Sequence, residues 1–323
     1  ECAGSIPAPG TITLRSLRFY SGDSTMFPDY IEPVFRPPSE GRSMIFQVTN
    51  GCSWNKCTFC DMYTQPQKKF RARDEAEVLA EIKAAAAAGP RFTKVFLADG
   101  DALVLPVRRL ENILLQIKES LPWVERVGAY CLPRNIRKKS IEELTRLREL
   151  GFGISYVGAE SGDDEVLQAI SKGETYESTK EALLKLKAAG IASSVMVLNG
   201  MGGKALSSQH AINTARLMSE TQPEFLSTLV VSYPLGVARV EAGFDSLGYK
   251  YELPDQHKLF IELREFIANL ELKNTVFRSD HASNYLPLKG NLGQDKQNLL
   301  DQLDIAIHKP GQISLRQEWQ RGL

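Results

Sequence analysis

Short β-rich runs alternate with helical runs along most of this chain, and this alternation constrains the fold more than any other feature. Six runs predict strands, at Met44–Val48, Lys94–Ala98, Val124–Tyr130, Gly153–Val157, Ser193–Leu198 and Phe225–Val231. The segments between and after them predict helices, at Asp74–Ala88, Val107–Ser120, Ser140–Leu150, Tyr176–Ala189, Ser207–Glu220 and Asp255–Leu270. Repeated β-α units favour a parallel sheet with right-handed crossovers.

Six strands are too few to close an eight-stranded barrel. The sequence therefore predicts an α/β fold, an open and partial (β/α)6 TIM-like barrel, over residues 44–270. Residues 1–43 are rich in Pro and Gly and predict an N-terminal extension that forms a strap across one end of the barrel. Residues 271–323 lose the alternation and predict a C-terminal helical extension that covers the barrel, with a helix at Asn291–Ile307. In such folds the functional residues lie at the carboxyl ends of the strands.

The charge balance argues against several classes of partner. Lys+Arg and Asp+Glu both number 39, so strong non-specific binding to nucleic acid or an anionic membrane is not expected. No run approaches the roughly 18 apolar residues of a membrane span, and Glu1–Gly10 lacks the pattern of a secretory signal. We therefore expect a cytoplasmic protein with no membrane partner, for which nucleic acid is disfavoured rather than excluded.

The loop after the first predicted strand carries three of the five cysteines within nine residues. In the segment NGCSWNKCTFCDMY, Cys52, Cys57 and Cys60 have the spacing C-x4-C-x2-C, and no fourth cysteine lies near. Thiolates suit iron–sulfur clusters and zinc, and in an intracellular chain a tight cysteine cluster indicates metal rather than disulfides. A structural zinc site normally has four ligands, so three thiolates favour a cubane with one open iron. The alternative is a zinc loop with a distant fourth ligand, for which the candidates are His210, His257, His281, His308 and Cys131.

This loop resembles the signature of the radical S-adenosylmethionine (SAM) superfamily, which usually reads C-x3-C-x2-C with an aromatic residue before the last cysteine. Phe59 occupies the aromatic position, and the extra residue in the first gap is a departure from the family pattern. The segment Val157–Thr175, VGAESGDDEVLQAISKGET, closely resembles one shared by Elongator-catalytic-subunit, methylthiotransferase and nitrogenase-cofactor-maturase proteins of that superfamily. The resemblance covers roughly residues 44–235.

The resemblance implies two cofactors, a [4Fe-4S] cluster and SAM. Cys52, Cys57 and Cys60 would be the metal ligands and the catalytic centre, and the open iron would bind the amino and carboxylate groups of SAM. An electron from the cluster would cleave SAM to methionine and a 5′-deoxyadenosyl radical, which abstracts hydrogen from an unidentified, small-molecule substrate. The electron would come from a donor such as flavodoxin or ferredoxin. Cofactor contacts are expected from Phe59, Met62, Tyr63, Asp99, Gly100, Asp101, Glu160, Ser161, Lys172 and Asn199.

The segment FLADGDAL follows the second predicted strand, where members of the superfamily bind the amino group of SAM. Asp99, Gly100 and Asp101 fall at that place, although the family often has GGE there. Gly100 would let the backbone approach the ligand closely, and a carboxylate could accept from the SAM ammonium. The alternative is a helix-entry turn with capping aspartates.

The remaining strand ends supply further expected contacts. By the resemblance, Glu160 and Ser161 would face the ribose or methionine part of SAM, and Lys172 would lie near its carboxylate. Asn199, in the glycine-rich segment VLNGMGGK, would contact the ribose. The alternatives are a helix cap at Ser161, a solvated charge at Lys172 and a flexible turn around Asn199.

Two other places are candidate substrate sites. In the segment YCLPR, Cys131 is either a hydrogen-atom donor beside Tyr130 and Arg134 or a buried structural thiol. In Phe277–Lys296, a polar loop either covers the barrel mouth or lies on the surface; its candidate residues are Asp280, His281, Asn284, Tyr285 and Lys289. The competing functions are an iron–sulfur protein without SAM chemistry and a zinc-binding nucleic-acid module.

Overall fold

A mostly parallel eight-stranded sheet organises the protein, whose computed structural model describes residues 28–321. Its strands lie side by side in the order in which they occur along the chain. All neighbouring pairs are parallel except the last, in which β10 runs antiparallel to β9. The strands of the sheet are β1 Met44–Gln47, β4 Lys94–Ala98, β5 Arg126–Tyr130, β6 Phe152–Glu160, β7 Ala192–Asn199, β8 Phe225–Val230, β9 Thr275–Ser279 and β10 Leu288–Leu292. Two short strands, β2 Thr49–Asn50 and β3 Arg71–Ala72, form a separate hairpin.

Helices follow the parallel strands and cover one face of the sheet. They are α1 Glu75–Ala85, α2 Val107–Ser120, α3 Pro133–Arg137, α4 Ile141–Glu149, α5 Asp164–Ala169, α6 Tyr176–Ala188, α7 Ser207–Thr221, α8 Ala238–Asp245, α9 Gln256–Asn269 and α10 Lys296–His308. A capping box opens α4, because the Ser140 hydroxyl accepts from the Glu143 N–H and the Glu143 carboxylate accepts from the Ser140 N–H. Within residues 28–321, no helix has both the length and the apolar composition needed to cross a bilayer.

The predicted α/β class and partial TIM-like barrel are confirmed, and all six predicted strands are present with small shifts at their ends. The sheet nevertheless continues past residue 270, since β9 pairs with β8 and β10 pairs with β9. The sequence analysis missed both strands; in β10 the alternating run LKGNL is short and has a glycine at its centre, which weakens the strand signal. The predicted C-terminal helix is α10, which packs on α9 and is joined to it by an ion pair between Arg264 and Asp304.

The described part of the N-terminal extension, residues 28–43, lies on the face of the sheet that the helices leave open. Val34 is fully buried there, in an apolar cluster with Ile45 and Tyr156. The Tyr30 hydroxyl donates to the Ile45 carbonyl at 3.0 Å, and the Tyr156 hydroxyl donates to the Glu40 carboxylate at 2.5 Å. The strap therefore runs along the inner face rather than across an end of the barrel, because that face offers apolar surface for Val34 to bury.

Candidate functional site

The cysteine loop, defined here as residues 51–70, leaves the sheet at the carboxyl end of β1 and is closed at its base. The hairpin of β2 and β3 brackets it, with Thr49 opposite Ala72 and Asn50 opposite Arg71. The Asn50 side-chain amide donates to the carbonyls of Gln67 and Lys69 at 2.6 and 3.0 Å. Gly51 has a φ of +71°, and a Cβ there would collide with the Lys68 carbonyl. Only glycine therefore fits where the loop begins.

Three free thiols, all partly buried, lie in this loop. Burial raises the pKa of Cys52, raises that of Cys57 to about 11 and raises that of Cys60 to about 12. The sulfur atoms are close enough to interact, since Cys57 adds to the rise in the pKa of Cys60 and Cys52 adds to both. Metal binding would have to displace these protons. Three thiols within nine residues of one loop offer the soft donor set of an iron–sulfur cluster, so the residues present fit that group.

Lys172 supplies the positive charge beside the thiols. Its ammonium lowers the pKa of each of the three cysteines, and it lies 5.9 Å from the centre of the Phe59 ring. It forms an ion pair of 2.9 Å with Glu160, which ends β6 with a φ of +63°. Burial opposes the charged form of Lys172, but Glu160 and Cys57 outweigh it and raise the pKa of Lys172. The lysine is therefore a buried cation within reach of the site, and a solvated surface charge is excluded.

Trp54 occupies the longer first gap of the cysteine motif and ties it to the segment after α5. Its indole N–H donates to the Ser171 carbonyl at 2.8 Å, and the Arg134 guanidinium lies 3.9 Å from the indole ring centre. Arg134 in turn forms an ion pair of 2.8 Å with Glu174. A Cβ at Gly173 would collide with both Trp54 and Arg134. The extra residue is thus accommodated by a stacked tryptophan that the sequence analysis did not single out.

The DGD segment after β4 is packed beneath the cysteine loop. Asp99 and Asp101 are both 0% exposed, and burial raises the pKa of Asp99 and raises that of Asp101 to about 6. Asp99 forms an ion pair of 2.5 Å with Lys68, which is also 0% exposed. A Cβ at Gly100 would lie 2.7 Å from the Tyr63 ring. Gly100 therefore makes room for Tyr63, and the predicted contacts of this segment with SAM stay predictions.

Two predicted contact residues are held by the helices. The Ser161 hydroxyl shares a hydrogen bond of 2.7 Å with His210 Nδ1 of α7, and accepts from the Asp163 N–H at 3.0 Å. The Asn199 amide donates to the Leu259 carbonyl of α9 at 3.2 Å. Burial lowers the pKa of His210 to about 4, so the ring is neutral and structural. The geometry brings together the cysteines, Phe59, Glu160 and Lys172; Met62 joins them through its N–H, which lowers the pKa of Cys60.

Most of the other candidate residues have structural partners. Cys131 is buried in the helix-facing core and donates to the Ala129 carbonyl at 3.6 Å. Asn284 accepts from the Val230 N–H at 2.8 Å and donates to the Thr228 carbonyl at 2.8 Å, so it fastens its loop to the end of β8. The remaining members of that loop are Asp280 and Lys289, both exposed, His281, bonded to Ser283, and Tyr285, bonded to Glu318.

Three residues proposed as the fourth ligand of a zinc ion have hydrogen-bond partners elsewhere in the fold. His210, His281 and Cys131 all make the contacts given above and lie outside the cysteine loop. Within the described part of the chain, no three His, Cys, Asp or Glu side chains are grouped as ligands of a single metal ion. A cubane is larger than one ion, and its ligands stand further apart.

Comparison with known proteins adds independent information on the family. A model described as "Radical SAM superfamily" matches residues 46–218. A tRNA-2-methylthio-N(6)-dimethylallyladenosine synthase of Bordetella avium is 27% identical over 172 residues, which are 50% of this chain and 35% of that protein. An oxygen-independent coproporphyrinogen III oxidase of Paracoccus denitrificans is 27% identical over 175 residues, 50% of this chain and 38% of that protein. The chain thus spans less than half the length of these relatives.

A solved structure resembles the fold. A radical S-adenosylmethionine methyltransferase from Kitasatospora setae, with cobalamin and a [4Fe-4S] cluster bound, superposes with a TM-score of 0.50 at 20% identity. The match covers 67% of this chain and 43% of that protein. At this identity the likeness concerns the fold alone.

Proposed function

The chain belongs to the radical SAM superfamily, and from this premise we propose that it cleaves SAM reductively at the site formed by Cys52, Cys57 and Cys60. The membership predicted from the cysteine loop and from Val157–Thr175 is confirmed. The protein is an enzyme of this class, and its cofactors are a [4Fe-4S] cluster and SAM. When bound and reduced, the cluster supplies the electron that splits SAM into methionine and a 5′-deoxyadenosyl radical, which removes hydrogen from a substrate.

Three thiols in one loop, with the buried ammonium of Lys172 beside the Phe59 ring of that loop, carry this proposal. Cys52, Cys57 and Cys60 would hold three irons of the cluster, and the loop supplies no fourth thiol. Lys172 lowers the pKa of all three thiols, so its charge favours the thiolate forms that iron requires. Glu160 keeps the ammonium in place through their ion pair of 2.9 Å.

The ion pair of Lys172 and Glu160 also suits the ends of an amino acid. SAM carries both an ammonium and a carboxylate on its methionine part, and the two side chains offer the complementary charges at the carboxyl end of β6. The resemblance implies that Glu160 would face the ribose or methionine part of SAM and that Lys172 would lie near its carboxylate. We propose that Lys172 attracts the carboxylate of SAM while Glu160 limits the charge that the site accumulates.

The proposal also covers the class of substrate. We propose a small molecule that binds at the carboxyl ends of the strands, because Val34 and its neighbours already cover part of the inner face of the sheet. The balanced charge of the chain also favours this class over nucleic acid, although the Bordetella relative is described as a tRNA-modifying enzyme. The reductant is proposed to be a flavodoxin or a ferredoxin.

Anaerobic reconstitution with iron and sulfide tests the proposal. Wild-type protein is expected to turn brown, and to form 5′-deoxyadenosine from SAM when a reductant is added. The variant C57A is expected to lose this activity, whereas C131A, which removes a thiol of the core, is expected to keep it. A colourless protein that binds one zinc ion, or a C57A variant with full activity, contradicts the assignment.

A further inference from the structure

Two buried carboxylates flank the first cluster ligand from below. Asp99 accepts a hydrogen bond of 3.4 Å from the N–H of Gly51, the residue before Cys52. Asp101 accepts a hydrogen bond from the hydroxyl of Ser53, the residue after Cys52. The backbone on both sides of Cys52 is therefore attached to the same turn at the end of β4.

The Asp101 carboxylate is itself held on its remaining sides. One oxygen accepts from the Leu132 N–H at 3.4 Å, and the other accepts from the Asn135 amide at 2.5 Å as well as from Ser53. These partners come from the segment after β5 and from α3. Both oxygens are thus occupied by protein donors, and the side chain is 0% exposed. Because the carboxylate is fully buried among these partners, it is not accessible to a ligand in the barrel mouth.

Asp99 joins the start of the cysteine loop to its end. Its Oδ2 atom contacts both the Gly51 N–H at the start of the loop and the Lys68 ammonium near its end. Lys68 also donates to the Ile31 carbonyl of the strap at 2.8 Å. The loop, the strap and the sheet therefore meet at one carboxylate.

We propose that Asp101, with Asp99 on the other side, is a positioning residue that fixes Cys52 for cluster binding and does not contact SAM. The inference rests on the proposed function, because it gives Cys52 the role of a cluster ligand. Asp101 acts through Ser53, whose hydroxyl is the only link between this carboxylate and the cysteine loop among the hydrogen bonds of the described residues. Loss of that link would allow the Cys52 backbone to move while Cys57 and Cys60 stay in place.

Thiol alkylation of the metal-free protein tests the positioning directly. Iodoacetamide labelling, followed by mass spectrometry of each cysteine, would compare wild type with S53A and D101N. Because both variants weaken a hydrogen bond to a charged group, we expect Cys52 to react roughly 10-fold faster or more in each of them. Cys57 should change less than about twofold. The control is T64A, whose hydroxyl lies on the same loop and bonds the Asp61 carbonyl.

The reconstituted enzyme separates positioning from SAM binding. In S53A and D101N we expect a changed electron paramagnetic resonance signal of the reduced cluster and a kcat for deoxyadenosine formation lowered roughly 10-fold, with a KM for SAM within about threefold of wild type. Unchanged Cys52 alkylation in S53A overturns the proposal, even if D101N fails to fold. A KM for SAM raised more than tenfold with an unaltered cluster signal also overturns it. If wild type binds no cluster, the proposed function fails, and the alkylation result still decides the positioning.

Discussion

Replacing Lys68 by Met should destabilise the protein strongly, because the change leaves Asp99 as a buried charge without its partner. Both side chains are 0% exposed, and their charged atoms lie 2.5 Å apart. Removing one partner of a buried ion pair costs about 3–5 kcal/mol. The destabilisation cannot exceed the free energy of protonating Asp99, because the carboxylate can be neutralised instead of remaining charged. Protonating a carboxyl with an ordinary pKa of 3.8 at pH 7 requires about 4 kcal/mol.

The expected destabilisation of K68M corresponds to a measurable decrease in melting temperature. Each kcal/mol corresponds to about 2–4 °C for a domain of 150–250 residues, so K68M should melt roughly 10 °C below wild type. The double variant K68M/D99N carries no charge at this place, and we expect it to recover at least half of the loss. The exposed Lys56 of the same loop provides the control, because K56M should shift the melting temperature by less than about 2 °C.

Thermal and urea unfolding of the metal-free proteins, followed by circular dichroism at pH 7 and pH 5, would provide the measurement. The loss in K68M should shrink at pH 5, because protonating Asp99 costs about 3 kcal/mol less there. The reasoning is refuted if K68M is as stable as K56M. It is also refuted if the double variant is no more stable than K68M, since the unpaired charge would then not be the cause.

Three further predictions concern the surroundings of the site. G100A should cost about 1–3 kcal/mol because its Cβ would lie 2.7 Å from the Tyr63 ring; urea unfolding should show partial recovery in G100A/Y63L, and an undiminished loss there contradicts the packing argument. W54A should release iron to a chelator several-fold faster than wild type, because it removes the bond to the Ser171 carbonyl; equal release rates would exclude this role. Burial raises the pKa of Glu262 to about 7, above its ordinary 4.5, so its contribution to stability is fully present below pH 4.5 and is lost as the pH rises through 7. The urea midpoint of wild type should therefore fall relative to that of E262Q between pH 5 and pH 8, and parallel profiles would contradict the shift.

The elements predicted from sequence were those with strong local patterns. The run at Lys94–Ala98 and the helix at Val107–Ser120 agree with the structure to the residue, because apolar spacing and end signals act over a few residues. In strand β10, Leu288–Leu292, the alternation is short and interrupted by Gly290, so the strand depends on its antiparallel pairing with β9. The inner position of the strap likewise depends on a surface that forms only when the sheet is complete.

In the candidate site, too, local patterns could be predicted from the sequence, whereas contacts between distant residues could not. The spacing of Cys52, Cys57 and Cys60 was sufficient to predict a cluster loop and its family, since all three ligands lie within nine residues. Lys68 reads in the sequence as one cation in the run KKFRAR, and nothing local distinguishes it from the exposed Lys69 beside it. Its burial follows from Asp99 and Ile31, which are 31 and 37 residues away in the chain.

By itself, the sequence determined the alternation that builds the sheet, the three thiols and the family to which they belong. Only the tertiary structure decided which charged groups are buried and which remain exposed, as it did when it enclosed Asp101 and brought Lys172 to the cysteine loop. The physical reason is that pattern and spacing act along a few residues of chain, whereas desolvation and ion pairing depend on distances in space between groups that are remote in sequence.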